Sequence, residues 1–205
     1  MFDISAPKEI LSAFGPDWAT TTLAIKKWNE KKDAIEAVIA AADTPKLAPG
    51  DYSGLIDVLK KLAVDAHATV AQYAIRALGF LANGLRQAFH DHAISAVPVL
   101  FSKFKEKRLT EEILTTLEKF MRCINLAEII EPLEASKTEK MPLTKQNIMV
   151  FTERAIRTTY IDTLEEIVDK LAPLALAVAD EKDANCREQG LVVLGVLTAR
   201  VPTMM

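Results

Sequence analysis

Apolar positions recur at helical spacing along almost the whole chain. After Asp33, residues Ile35, Val38 and Ile39 share one face; after Tyr52, residues Leu55, Ile56, Leu59 and Leu62 share another. The stripe returns at Val70, Tyr73, Ala74, Ala77, Leu78 and Leu81, at Val97, Leu100, Phe101 and Phe104, and at Ile113, Leu114, Leu117, Phe120 and Met121. It continues through Ile148, Met149, Phe151 and Ile156, then Leu164, Ile167, Val168, Leu171 and Leu174, and closes on Leu191, Leu194 and Leu197. Each i, i+3, i+4 stripe predicts an amphipathic helix that buries one side. No window keeps the strict alternation of a half-buried strand.

Helix breakers fall between the stripes. Thr44 to Asp51 holds Pro45, Pro49 and Gly50 and reads as a connector. Asn83-Gly84 reads as a helix C-terminus with a left-handed cap. Lys137 to Pro142 is a polar link with Pro142 near a helix start, and Ala184-Asn185 offers an N-cap to the last helix. Taken in pairs, the second helices centre near Ile35, Arg76, Thr115, Met149 and Val192, roughly 35 to 42 residues apart and close to the period of HEAT-type helix pairs. Two second helices share a pattern, Arg76-Ala77-Leu78-Gly79-Phe80-Leu81 and Val193-Leu194-Gly195-Val196-Leu197, in which a small residue beside leucine permits close helix approach. The expectation is an all-α HEAT-repeat α-solenoid, a paddle of about five to six helix pairs in which each pair packs on its neighbours, with residues 1–205 forming a single domain.

Composition agrees. Of 205 residues, half are apolar, about a quarter are charged and only 6% are aromatic, a mix that suits stacked helices better than sheets. The net charge of −3 argues against nucleic acid as the main partner. Cys123 and Cys186 are far apart, which fits a reducing compartment and no disulfide framework. The stretch Met1 to Pro7 lacks the apolar core of a signal peptide, and no apolar run is long enough to span a membrane.

The turns inside the pairs carry the functional signal. In a helical solenoid these turns fall along one edge, and here several are basic although the chain is acidic. The first places Lys26, Lys27, Lys31 and Lys32 around Trp28. The second, Asp65 to Thr69, has no Lys or Arg but contains His67. The third is Lys103-Phe104-Lys105-Glu106-Lys107-Arg108, the fourth runs from Lys137 through Lys140 to Lys145, and the fifth carries Lys182 and Arg187 among Asp180, Glu181 and Asp183. Cations at helix ends also serve the helix dipole, which explains any one turn. Several such turns with a tryptophan at one end predict a broad acidic protein partner, met by electrostatic steering and an aromatic anchor.

Lys27-Trp28-Asn29-Glu30-Lys31-Lys32-Asp33-Ala34-Ile35-Glu36 resembles the Lys-Trp-x-Glu-Arg-Lys-Glu-Ala-Leu-Glu opening of TOG domains, the tubulin-binding modules of the microtubule-polymerase family. Pro45-Lys46-Leu47 with Gly50-Asp51-Tyr52 resembles the family's first linker, and Gly84-Leu85-Arg86-Gln87-Ala88-Phe89 its Gly-Leu-Arg-x-x-Phe segment. Phe104 to Arg108 resembles Phe-Lys-Glu-Lys-Lys, Pro142 to Gln146 resembles the fourth-turn motif with Phe151 and Arg154 in register, and Asn185 to Glu188 resembles a Val-Arg-Glu segment. The matches run in order from about Ile4 to Leu197. The resemblance implies αβ-tubulin as partner, as free dimer or in the microtubule lattice, a cytoplasmic place on microtubules, spindle or organising centre, and one module of a longer array. It further implies a monomeric module without cofactor, metal or enzymatic activity, whose contacts are Trp28, Lys31, His67, Lys105, Lys107, Arg108, Lys145 and Arg187. The alternative is a HEAT-repeat scaffold for a different protein partner. Departures from the family pattern are His67-Ala68 in place of Asn-Val, Met141 before Pro142, Thr144 and Ile148.

No catalytic pattern competes. His90-Asp91-His92 puts its two imidazoles on different faces of a helix, the glycines are too scattered for a phosphate loop, and neither cysteine has a histidine partner in sequence. Glu111-Glu112 and Glu165-Glu166 read as exposed, solubilising carboxylates, Trp18 as packing, and Cys123 and Cys186 as small buried residues.

Overall fold

The computed structural model describes residues 6–15 and 17–202. Residues 1–5, on which most of the signal-peptide reading falls and where the family resemblance begins, lie outside the described residues. The helices follow in this order: α1 (Trp18–Ala24) and α2 (Trp28–Ala42), α3 (Ser53–Ala63) and α4 (Ala68–Leu85), α5 (His90–Lys103) and α6 (Thr110–Phe120), α7 (Ile130–Ala135) and α8 (Pro142–Thr158), α9 (Ile161–Ala179) and α10 (Ala184–Arg200). The β-type pairing among the described residues is one isolated parallel bridge between Lys8 and Leu47. The fold is all-α and of HEAT type, as the periodicity predicts.

The chain forms two compact units. Unit 1 takes in the chain up to Leu100 together with Glu111–Cys123; unit 2 takes in Phe101–Thr110 and the chain from Ile124 onward. In unit 1, α4 packs on α2 and on α3, and Ile35, Val38, Ile56, Leu59, Leu78 and Leu81 are fully buried between them. In unit 2, α10 packs on α8 and α9, and α7 on α9, around Leu133, Met149, Phe151, Leu171 and Leu174. At ~25 cal/mol per Å2 of apolar surface removed from water, these faces hold helices that would be marginal alone.

Several local expectations are corrected. α4 runs through Asn83-Gly84 to Leu85, and the positive-φ residue is Arg86 (φ 53°). Gly84 serves a close approach instead: a Cβ there would lie 2.7 Å from the Leu47 Cγ. The cap of α10 is Asp183, whose carboxylate accepts from the Cys186 N–H at 3.0 Å, not Asn185. The buried face of α10 is Cys186, Gly190, Val193 and Leu197, whereas Leu191 is 61% exposed. That helix is apolar on every side in its second half, so periodicity alone could not fix its orientation. Gly79 packs closely, its Cβ position 3.0 Å from the Thr116 hydroxyl, but Gly195 faces open space and Gly190 makes the tight contact with α9. Glu112 is largely shielded rather than exposed, because Arg76 on α4 donates to it at 3.0 and 2.5 Å. Cys123 and Cys186 are buried as expected, and burial raises both thiols to about 11.

Candidate protein-binding turns

In unit 1 the first two turns form one constructed surface. Lys27 is the extended N-cap of α2, which places Trp28 at the first helical position with its side chain clear of the core. Trp28 is 47% exposed. Its indole lies flat on the His67 ring, centroids 4.4 Å apart and planes 8° from parallel. The second turn is shaped by Asp65. One carboxylate oxygen accepts from the His67 backbone N–H at 2.8 Å, an Asx-type turn that starts α4, and the other binds the Lys31 ammonium at 2.9 Å. Burial alone would push the Asp65 carboxyl up, but the Lys31 ammonium and the His67 N–H together hold it below its ordinary value. Lys26, Lys27, Trp28, Asn29, Lys31, Asp65, Ala66 and His67 line an open cleft of about 490 Å3. The His67 Nδ1 is buried with no hydrogen-bond partner among the described residues.

In unit 2 the other turns are neighbours of one another. The third is tightened by Glu106 N–H to Lys103 carbonyl at 3.0 Å and Leu109 N–H to Glu106 carbonyl at 2.8 Å. Phe104 is fully buried, and Asn147 on α8 donates to its carbonyl at 3.3 Å and to the Thr110 hydroxyl at 3.2 Å. This frame turns Lys105, Lys107 and Arg108 to solvent while Lys103 points inward to Glu106. Lys145 is re-read: it is only 5% exposed, its ammonium pairing with Glu181 and donating to the Lys137 carbonyl at 3.2 Å. A buried ammonium must be satisfied internally, so Lys145 ties the fourth turn to the fifth and offers no free charge. Arg187 is exposed, and its guanidinium also donates to the Glu181 and Lys182 carbonyls at 3.1 and 2.7 Å. Cys186 adds a second tie, its thiol 3.3 Å from the Pro142 carbonyl.

The structure thus brings Trp28, Lys31 and His67 together in one unit, and Lys105, Lys107, Arg108, Lys145 and Arg187 onto adjacent turns of the other. Lys31 and Lys145 are tied within the chain; the remaining six are at least partly accessible. Sequence reasoning missed Asp65 as the link between turns, although an Asp two residues before a helix start is a legible Asx signal. Met141, one of the departures from the family pattern, is half-exposed at the α8 N-cap. Among the described residues, no helix is long and apolar enough to cross a membrane, and no group of three His, Cys, Asp or Glu side chains is placed to hold a metal.

No protein-family model matches the chain. Among curated proteins it is similar to the protein mini spindles of Drosophila melanogaster, 31% identical over 202 residues, covering 95% of this chain and 10% of that protein. Among solved structures, one chain from work on microtubule plus end tracking by XMAP215, CLIP-170 and EB1 superposes with a TM-score of 0.89 at 27% identity, covering 97% of this chain and 86% of that one. Another, from microtubule polymerases with TOG domain arrays, superposes at 0.86 with 21% identity, covering 97% of this chain and 43% of that one. The chain belongs to the TOG-domain family. This TOG domain spans between about a tenth and a quarter of the length of the curated relatives it matches.

Proposed function

We propose that this TOG domain is a non-enzymatic αβ-tubulin-binding module, one of several in a longer microtubule-associated protein, and that it contributes to microtubule polymerisation through its intra-pair turns. The observation that carries the reading is the half-exposed Trp28 held flat on His67 at the junction of two turns. An aromatic preset against another ring loses little entropy when a partner covers it, and a buried tryptophan anchor contributes ~2 kcal/mol or more. Trp28, His67, Lys105, Lys107, Arg108 and Arg187 are the proposed contacts. Lys31 and Lys145 are positioning residues that fix the turns carrying them. The relatives named above are proteins of microtubules and spindles, which supports a microtubule-associated location. A single module lacks the linked sites that avidity requires, so binding, not polymerisation, is the activity to test. The purified chain should co-elute with αβ-tubulin on size exclusion, and Trp28→Ala with Lys107→Ala should abolish the shift while leaving the helical content unchanged. A shift that survives both substitutions contradicts the proposal.

A further inference from the structure

A second charged surface lies in unit 1, on the second helices of the pairs and away from the Trp28 cleft in sequence and in lining. Gly79 on α4 leaves room for the Lys119 side chain, whose Cδ would lie 3.2 Å from a Cβ at that position. Lys119 therefore crosses from α6 onto α4, with its ammonium 4.6 Å above the Phe80 ring. One turn earlier the Arg76 guanidinium stands 5.4 Å over Tyr73. One turn later Arg122 donates to the Asn83 side chain at 3.0 Å. Asn83 and Arg122 also line a cleft of about 360 Å3, together with Pro45, Ala82 and Arg86.

Glu112 is already held by Arg76, and Arg122 is hydrogen-bonded to the neutral amide of Asn83. Burial pushes the Lys119 ammonium below its ordinary pKa; Glu112 pulls it back up, Arg122 and Arg76 push it further down, and Asp43 acts least. A half-buried cation one turn from Arg122, which lines a cleft, marks a candidate site. An independent feature points to the same place. Arg86, on the cleft wall, keeps φ 53° although a side chain disfavours it, and its guanidinium donates to the Pro45 carbonyl at 3.1 Å. Strain of this kind persists where surrounding structure demands it.

We propose that the α4–α6 groove of unit 1 docks an acidic peptide segment, whose carboxylates meet Lys119 and Arg122 and whose apolar groups lie against Tyr73 and Phe80. The cations alternate with aromatic faces, so the groove suits a chain carrying both carboxylates and carbon surface. A nucleic acid is disfavoured because the protein as a whole is negative (−3), which repels a long polyanion. The inference does not depend on the tubulin reading.

The test uses the whole chain and a fluorescein-labelled octaglutamate peptide, with binding read by anisotropy at low salt. Wild type should bind, and Lys119→Met with Arg122→Gln should weaken binding about fivefold or more, as expected for two partly shielded charge pairs. Arg122→Gln alone, at an exposed position, should weaken it about twofold even if the double variant folds poorly. Lys61→Ala with Lys170→Ala, at exposed positions outside the groove and outside the basic turns, should leave it unchanged. The proposal is overturned if wild type does not bind, if that control variant loses as much as the groove variant, or if an oligothymidylate of equal charge competes as well as unlabelled octaglutamate.

Discussion

Replacing His67 separates its two roles. The ring supports Trp28 through a stacked contact at 4.4 Å, worth about 1 kcal/mol beyond its buried area. Its Nδ1 is buried without a partner, a cost of about 1–3 kcal/mol. His67→Phe keeps the stack and removes the orphaned nitrogen, so the chain should gain about 1 kcal/mol. His67→Ala loses both, and the two effects should offset to within about 1 kcal/mol. Binding should respond differently. Without the supporting ring Trp28 must be ordered by its partner, at about 0.5–1.5 kcal/mol, so His67→Ala should weaken the proposed tubulin binding roughly 3- to 10-fold. His67→Phe should retain most of it. Urea denaturation followed by circular dichroism reads the stability. Trp28 emission, isolated in a Trp18→Phe background, reads the stack. The reasoning is refuted if His67→Phe is less stable than His67→Ala, or if His67→Ala leaves Trp28 emission unchanged.

Other consequences are equally direct. Gly190→Ala would set a Cβ 2.5 Å from the Ala179 backbone nitrogen and 2.9 Å from the Ala175 carbonyl, so it should cost about 3 kcal/mol or more in urea unfolding. Gly195→Ala meets nothing within 4 Å and should stabilise α10 by about 0.5–1 kcal/mol. Lys145→Met should cost about 2 kcal/mol, less than the loss from a fully buried pair because the Glu181 side chain stays 37% exposed. The Asp65 carboxyl is held below its ordinary pKa in the folded chain, so its stabilisation is complete above the ordinary carboxylate range and is lost as pH falls through the folded value. Asp65→Asn should therefore be less stable than wild type at pH 6, with the difference shrinking as pH falls through and below the ordinary carboxylate range in a pH series of urea melts.

Much of this architecture is legible in the pattern of apolar positions. The second helices centre where the stripes put them, because one-sided burial forces a 3.6-residue period, and Pro142 opens α8 because its missing N–H costs nothing at the first helical position. Trp28 was readable as a ring at a turn, since the lysines around it cannot enter a core. The direction of individual lysines was not readable. Lys103 and Lys145 look like Lys105 and Lys107 in sequence, yet the first pair turns inward to Glu106 and Glu181. Only tertiary placement of those carboxylates decides it. The face of α10 escaped for the converse reason, because Leu191 to Leu197 is apolar all round and the choice falls to Gly190, the residue that allows α9 to approach. The Trp28–His67 stack joins residues 39 positions apart in sequence, a pairing that only the packing of α2 on α4 creates.

The central claim is that the half-exposed Trp28 anchors αβ-tubulin with the support of basic turns. The most direct test is the dissociation constant of purified αβ-tubulin for the wild-type chain and for Trp28→Ala, each at low and at physiological salt. Wild type should bind and weaken as salt rises, and Trp28→Ala should lose about 30-fold or more at both salts, the equivalent of the ~2 kcal/mol of an aromatic anchor. Absence of wild-type binding, or a Trp28→Ala affinity within about twofold of wild type, a change too small for an interface anchor, would contradict the account.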